Sequence, residues 1–275
     1  MDGFFPVFVN VVVPIMAGLV FFALARYVKH IAPMRTLVTG QLTYAGAYWG
    51  FLFLGFYLAT RPVQILLGPH PWPLIINNLR EFLMIGLFGP AVVIAILSLV
   101  FGSDRLPNAL VGGVVLLGMM LATTFVVVNI FAIGGSEEIF RIGRWVANDG
   151  LWFKTTDVAH AKLMGMLFMI RFVDPVLLVF LSGTLVFWHA RHYPVDKKLL
   201  YDNMPKKLYL LAIACFAFSL SMLSVGLIFL VAHIPNQWWI YYLGSLAAGF
   251  LETFSLALPL KKGVVISEHS RTLFH

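Results

Sequence analysis

The chain has 275 residues, of which 60% are hydrophobic and only 11% are charged. A soluble domain carries about 25% charged residues, so the composition excludes an ordinary water-soluble protein and predicts an all-α integral membrane protein. The formal net charge of +7 is attributed to basic loops at a membrane rather than to nucleic acid. The single cysteine excludes an intramolecular disulfide and a CxxCH haem-attachment site.

Seven stretches of the sequence are apolar enough to cross a bilayer as helices, which requires about 20 mostly apolar residues each. The first is expected to be a retained helix rather than a signal peptide, since Asp2 and no Lys or Arg precedes it. One polytopic domain over residues 1–275, without a soluble domain, is therefore predicted. The spans are Pro6–Ala25, Leu37–Ala59, Phe82–Phe101, Leu110–Ile133, Leu163–Trp188, Leu208–Ala232 and Trp238–Leu260.

Two further segments lie between these spans. Arg61–Leu79 contains four prolines, and it is predicted to be an interfacial or re-entrant segment rather than a span. Gly134–Asp157 mixes charged residues with Ile, Phe and Trp, and an interfacial helix is expected there.

The charges of the loops predict the orientation in the membrane. Lys and Arg are concentrated in the segments after the first, third, fifth and seventh spans, including Lys197, Lys198 and Lys261. The positive-inside rule then places the N-terminus outside and the C-terminus inside. Trp145 and Trp238 fall at the predicted outer interface, where amphipathic aromatic side chains are favoured.

Ionisable residues within the spans predict a buried polar site. Arg171 and Asp174 lie three residues apart and share a helix face, and Pro175 is expected to kink the helix beside them. Glu252 is predicted at a similar depth as a third partner, with Lys162 as an additional cation. Such groups are costly in a bilayer and indicate a ligand, proton or ion site, although an ion network that only fixes helix packing explains them as well.

Histidines at the ends of two spans suggest a cofactor. His160 and His233 should meet on the outer side, because spans five and six are antiparallel neighbours. Two facing histidines could hold a b-type haem, while ordinary interfacial histidines are the simpler interpretation. No metal site is predicted, since three methionines near His160 are more typical of packing than of ligation.

These patterns leave three classes of function open. The leading prediction is a membrane-embedded subunit of a larger complex for electron or proton transfer. It would lie in a bacterial-type cytoplasmic (inner) membrane, with the lipid bilayer and other protein subunits as partners. The alternatives are a sensory or receptor-type protein that signals through a partner, and a small-molecule or ion transporter.

Motifs add little to this choice. The seven-span arrangement generically resembles bacterial seven-helix sensor domains, a similarity of topology alone. A retinal protein is not indicated, because Trp238–Leu260 has no lysine midway along it. Neither HExxH nor GxSxG is present, so the sequence leaves open whether the protein is an enzyme.

Overall fold

The computed structural model describes residues 7–66, 72–132, 137–142, 145–150, 158–194, 203–232 and 238–258. The seven predicted spans are confirmed as helices, several of them longer than expected. The helices are α1 (a π-helical turn at Phe8–Val12, then Val13–Thr39), α2 (Gln41–Leu66), α3 (Trp72–Glu81, a π-helical stretch Phe82–Phe88, then Gly89–Phe101), α4 (Asn108–Val127, then a π-helical turn at Val128–Ala132), α5 (Val158–Phe168, a π-helical turn at Met169–Val173, then Asp174–Arg191), α6 (Met204–Ala232) and α7 (Trp238–Ala257).

The helices form one membrane-embedded bundle. Within the described residues, stretches of α1 to α6 are each long and apolar enough to cross a bilayer, and α7 packs between α6 and α1 as the seventh helix. Neighbours in sequence are also neighbours in space, and α3 lies centrally, in contact with α2, α4 and α5. Large apolar side chains such as Leu116, Leu117 and Phe254 are exposed on the outside of the bundle, as expected for surfaces that face lipid.

The bundle has two ends, which are named here by the chain. The N-terminal end is where α1, α3, α5 and α7 begin, and the C-terminal end is where these four helices finish. Gly40, with φ of 85°, separates α1 from α2 at the C-terminal end, a backbone conformation that glycine adopts without steric cost. Which end faces the cytoplasm stays a prediction.

The proline-rich segment belongs to two spans. Its first residues, as far as Leu66, are the last turns of α2, and its last residues, from Trp72, are the first turns of α3. Residues 67–71 lie outside the described part. Pro73 falls in the first turn of α3, where a missing backbone N–H removes no helical hydrogen bond. The segment therefore lengthens two membrane helices, in place of the separate interfacial or re-entrant segment expected from the sequence.

The loop between α4 and α5 contains strands rather than the expected interfacial helix. β1 (Glu137–Ile142) and β2 (Trp145–Gly150) pair antiparallel, with Ile142 opposite Trp145. The sequence of the two strands is rich in Ile, Phe, Val and Trp, which favour strands. β2 lies close to α2 and α3, so the hairpin is at the N-terminal end of the bundle.

Two central helices change geometry just before a proline. In α3 the π-helical stretch Phe82–Phe88 is followed by Gly89 and Pro90, and in α5 the turn Met169–Val173 is followed by Asp174 and Pro175. Proline has no backbone N–H and its ring crowds the carbonyl four residues earlier, so a wider turn relieves the crowding. Such π-helical turns occur frequently at functional sites. A π-helical turn thus lies directly before Asp174 and Pro175, where a kink was expected, and α3 contains a second one before Gly89 and Pro90.

Close packing of α2 against α3 gives a first testable prediction. A Cβ at Gly46 would lie 2.7 Å from the carbonyl oxygen of Ala91, whereas a Cβ at Gly50 would meet only ordinary contacts, the nearest at 3.6 Å from Val92 Cγ2. Gly46→Ala should therefore lower the free energy of unfolding by about 1–3 kcal/mol, the usual cost of overpacking. Gly50→Ala on the same helix is the control and should cost nothing, since alanine favours helix. Denaturant unfolding in mixed micelles tests this, and equal stabilities would contradict it.

Candidate functional site

A cluster of buried charged side chains lies in the N-terminal half of the bundle. Each member is at most 2% exposed, and the members come from three helices. We call this cluster the polar core; it consists of Arg61 and Gln64 of α2, Arg80 and Glu81 of α3, and Arg171 of α5.

An ion pair connects α3 to α5 within the polar core. Arg171 Nη2 lies 2.9 Å from Glu81 Oε1, and the Arg171 guanidinium also lies 4.7 Å from the ring centroid of Trp238. Phe172 stacks on the same Trp238 ring at 5.5 Å. A guanidinium that is removed from water and placed over an aromatic ring gains about 2 kcal/mol from that contact. Glu81 directly precedes the π-helical stretch of α3, and Arg171 lies within the π-helical turn of α5.

Arg80 joins α3 to α2 and α7. Its Nε donates to the Tyr57 carbonyl oxygen at 3.1 Å, its Nη1 donates to Gln64 Oε1, and its Nη2 donates to the Tyr242 hydroxyl at 3.4 Å. Gln64 Oε1 also accepts a hydrogen bond from Arg61 Nη1 at 3.1 Å. The acceptors of Arg80 within the described residues are therefore uncharged, and its positive charge is stabilised by dipoles and by the Tyr57 ring, 4.6 Å away.

The polar core is almost wholly buried and connects to a further helix. A further hydrogen bond, from Asn129 Nδ2 to Asn78 Oδ1 at 2.8 Å, extends the network from α3 to α4. Buried polar networks of this kind fix the relative position of helices, because an arrangement that breaks them leaves polar groups unsatisfied in a medium of low dielectric constant. The polar core therefore positions α2, α3, α5 and α7 against one another.

The structure separates residues that the sequence suggested would meet. Arg171 is in the polar core, and the side chain of Asp174 lies outside the described residues. Glu252 lies fourteen residues beyond Trp238 on α7, which at 1.5 Å per residue is about 21 Å along the axis. Lys162 is exposed on α5. Glu252 is thus not a partner of Arg171, which corrects the expectation of a similar depth, and the exposed Lys162 does not belong to the polar core.

The predicted haem ligands lie outside the described residues. The side chain of His160 and the whole of His233 belong to the part of the chain that is not described, so haem ligation stays a prediction. Among the described residues, no group of three or more His, Cys, Asp or Glu side chains is placed to hold a metal ion.

A cavity of about 160 Å³ lies in the C-terminal half of the bundle. Six of the seven helices contribute to its wall, all except α4. The wall is mainly aliphatic and aromatic, with Phe21, Phe51, Phe88 and Phe218 among its residues. Small-molecule sites are usually concave, mostly apolar and furnished with few polar groups, and in helical bundles they lie between helices. This cavity has that character.

Glu252 is the carboxylate on the cavity wall. Its Oε2 is inaccessible to water and has no hydrogen-bond partner within the described residues. The Thr43 hydroxyl donates to Ser98 Oγ, and the Ser255 hydroxyl donates to the Lys207 carbonyl oxygen. These two hydroxyls of the wall are therefore engaged elsewhere, and neither donates to Glu252.

Lys207 lies on the cavity wall toward the C-terminal end. Its Nζ donates to the carbonyl oxygens of Leu256 and Leu258, which are the acceptors that the end of α7 leaves without helical partners. A cation at a helix C-terminus is also favoured by the helix dipole. Lys207 thus caps α7.

Several of these residues escaped the sequence analysis. Arg61, Arg80 and Glu81 border or belong to the proline-rich segment, which was not considered a span, so their burial was not anticipated. The sequence does contain a signal: Asn77–Glu81 places two amides and two charges directly ahead of a long apolar run.

Comparisons with known proteins do not assign the chain to a family. No protein-family model matches it, and no curated protein is significantly similar. Among solved structures, the chain is similar to the crystal structure of squid rhodopsin, with a TM-score of 0.49 and 9% identity, over 93% of this chain and 84% of that one. A likeness of this degree says nothing about function.

Proposed function

We propose that this integral membrane protein is a sensory or receptor-type protein that binds a small molecule inside its helical bundle. The observation that carries the proposal is the apolar cavity bounded by six helices. A molecule bound there contacts almost every helix at once and therefore favours whichever arrangement of them fits it best. A partner protein at the membrane would receive the change. As predicted from the sequence, we place the protein in a bacterial-type cytoplasmic membrane.

The packing offers a route from the cavity to the polar core. Phe88 lines the cavity and is the last residue of the π-helical stretch of α3, whose first residue directly follows Glu81. Val179 of α5 lines the same cavity, and α5 contains Arg171. Displacement of α3 against α5 by a ligand would act on the Glu81–Arg171 ion pair, which is formed at two irregular turns.

Electron or proton transfer, the leading prediction from the sequence, has less support. It depended on haem between His160 and His233, whose side chains are not described, and on a joint site of Arg171 with Glu252, which lie in different halves of the bundle. The cavity needs no cofactor to act as a ligand site, and this favours the receptor alternative.

Toluene, a small apolar probe of the cavity, tests the proposal. In lipid nanodiscs it should raise the thermal unfolding midpoint of the wild-type protein in a saturable manner and slow hydrogen exchange both along the cavity wall and around Arg171. Cys215→Phe and Ala47→Leu, which are made separately and add bulk at the wall, should abolish both effects. A response identical in wild type and filled variants would contradict the ligand site, and protection confined to the wall would contradict the coupling.

A further inference from the structure

We propose that the cavity selects a small lipophilic amine, whose ammonium group pairs with Glu252 while its apolar body fills the space between α2, α3 and α6. This inference rests on the proposed function and specifies the chemical class of its ligand. No described residue other than Glu252 combines a carboxylate on the cavity wall with an oxygen that is buried and lacks a hydrogen-bond partner.

The size and lining of the cavity limit the ligand. A cavity of roughly 150 Å³ lined by Leu, Ile and Phe stays dry and accepts benzene in another protein, and the cavity here measures about 160 Å³. Phe88, Val92, Leu211 and Phe218 contribute the same kind of apolar wall. A ligand with one six-membered ring or a chain of similar size fits this space.

The unsatisfied carboxylate determines the charge of the ligand. A carboxylate oxygen that is buried without a cation or a hydrogen-bond donor is disfavoured, and Glu252 Oε2 is such an oxygen among the described residues. A ligand that brings both a positive charge and a donor therefore stabilises Glu252. An alkylammonium group brings a positive charge and three N–H donors. An anionic ligand would meet repulsion from Glu252, and a hydrocarbon would leave it unsatisfied.

Lys207 is the basic residue of the cavity wall, and its ammonium group is engaged at the end of α7 rather than at Glu252. Lys207 directs its ammonium to the carbonyl oxygens of Leu256 and Leu258 at the end of α7. Glu252 lies about one helical turn before Leu256, deeper in the bundle. The cavity therefore presents its negative group on the inside and its positive group at the C-terminal end, where it holds the helix terminus.

Isothermal titration of the full chain in nanodiscs with benzylamine and with toluene tests the proposal. The two probes have nearly the same shape and differ in the ammonium group. Wild-type protein should bind benzylamine at least about tenfold more tightly than toluene, the effect of one charge-assisted hydrogen bond. Glu252→Gln should remove this preference and keep toluene binding. Thr253→Val, a neighbouring substitution on α7 outside the cavity wall, should leave both affinities unchanged.

The outcomes separate this inference from the proposed function. If toluene binds but benzylamine binds no more tightly, or if Glu252→Gln keeps the preference for benzylamine, the proposal of an amine ligand is overturned. The proposed ligand site itself then still stands. If neither probe binds wild type better than the filled variants Cys215→Phe and Ala47→Leu, both proposals are overturned. Glu252→Asp, which keeps the charge, provides a further check and should retain part of the preference for benzylamine.

Discussion

Replacing Glu81 by glutamine is expected to lower the free energy of unfolding by about 3–5 kcal/mol, because it removes the carboxylate that Arg171 contacts inside the bundle. Loss of one partner of a buried ion pair costs far more than loss of both, since the remaining charge stays in a medium that solvates it poorly. The pair is 2.9 Å apart with both side chains almost wholly buried. Unfolding by denaturant in mixed micelles measures the effect.

The double variant makes the prediction specific. Arg171→Met together with Glu81→Gln removes the positive charge as well, and the double variant should be more stable than Glu81→Gln alone. Asp104→Asn, which changes an exposed carboxylate in the turn after α3, is the control and should stay within about 0.5 kcal/mol of wild type. If the loss of unfolding free energy in the double variant equals the sum of the losses in Glu81→Gln and Arg171→Met measured separately, the two residues act independently and the prediction is contradicted.

Arg80→Lys should cost about 2–3 kcal/mol although the charge is kept. The guanidinium of Arg80 donates to three acceptors in different directions: the Tyr57 carbonyl, Gln64 and the Tyr242 hydroxyl. A lysine ammonium on a flexible chain cannot reproduce this planar fork, and buried acceptors that lose their donor are costly.

The same conservative change at an exposed site provides the control for Arg80. Arg26 is exposed on α1, and Arg26→Lys should leave stability within about 0.5 kcal/mol of wild type. The thermal unfolding midpoints of Arg80→Lys, Arg26→Lys and the wild-type protein, measured in one detergent, test this prediction. If Arg80→Lys and Arg26→Lys had equal midpoints, the guanidinium group of Arg80 would contribute only its charge and not its geometry.

The helices could be predicted from the sequence because the bilayer imposes a simple rule. Backbone groups in lipid must be paired within the segment, so any run of about 20 apolar residues is a strong indication of a helix. The rule predicts the ends of a helix poorly where the helix continues beyond the apolar part of the bilayer. α1 extends to Thr39 and α2 to Leu66, through basic and proline-containing turns that hydropathy assigns to loops.

The partners of the buried charges could not be predicted in the same way. Arg171 was paired in the sequence with residues near it along the chain or at an assumed equal depth, and its described partner is Glu81 on a helix two spans earlier. Pairing across helices depends on how each helix rotates and how far it extends, and an apolar pattern that is almost uniform around the helix does not specify rotation. Glu252 was identified as a polar group within a span, but its separation from Arg171 depends on the packing of Arg171 against Trp238, which only the fold shows.

The most direct test of the central claim is a crystal structure of the protein soaked with 4-bromobenzylamine, with the bromine located by its anomalous signal. The proposals predict one bromine peak in the cavity bounded by six helices, with the ammonium group within hydrogen-bond distance of Glu252. A cavity without bromine in crystals soaked to saturation, or bromine only on the lipid-facing surface, would contradict them.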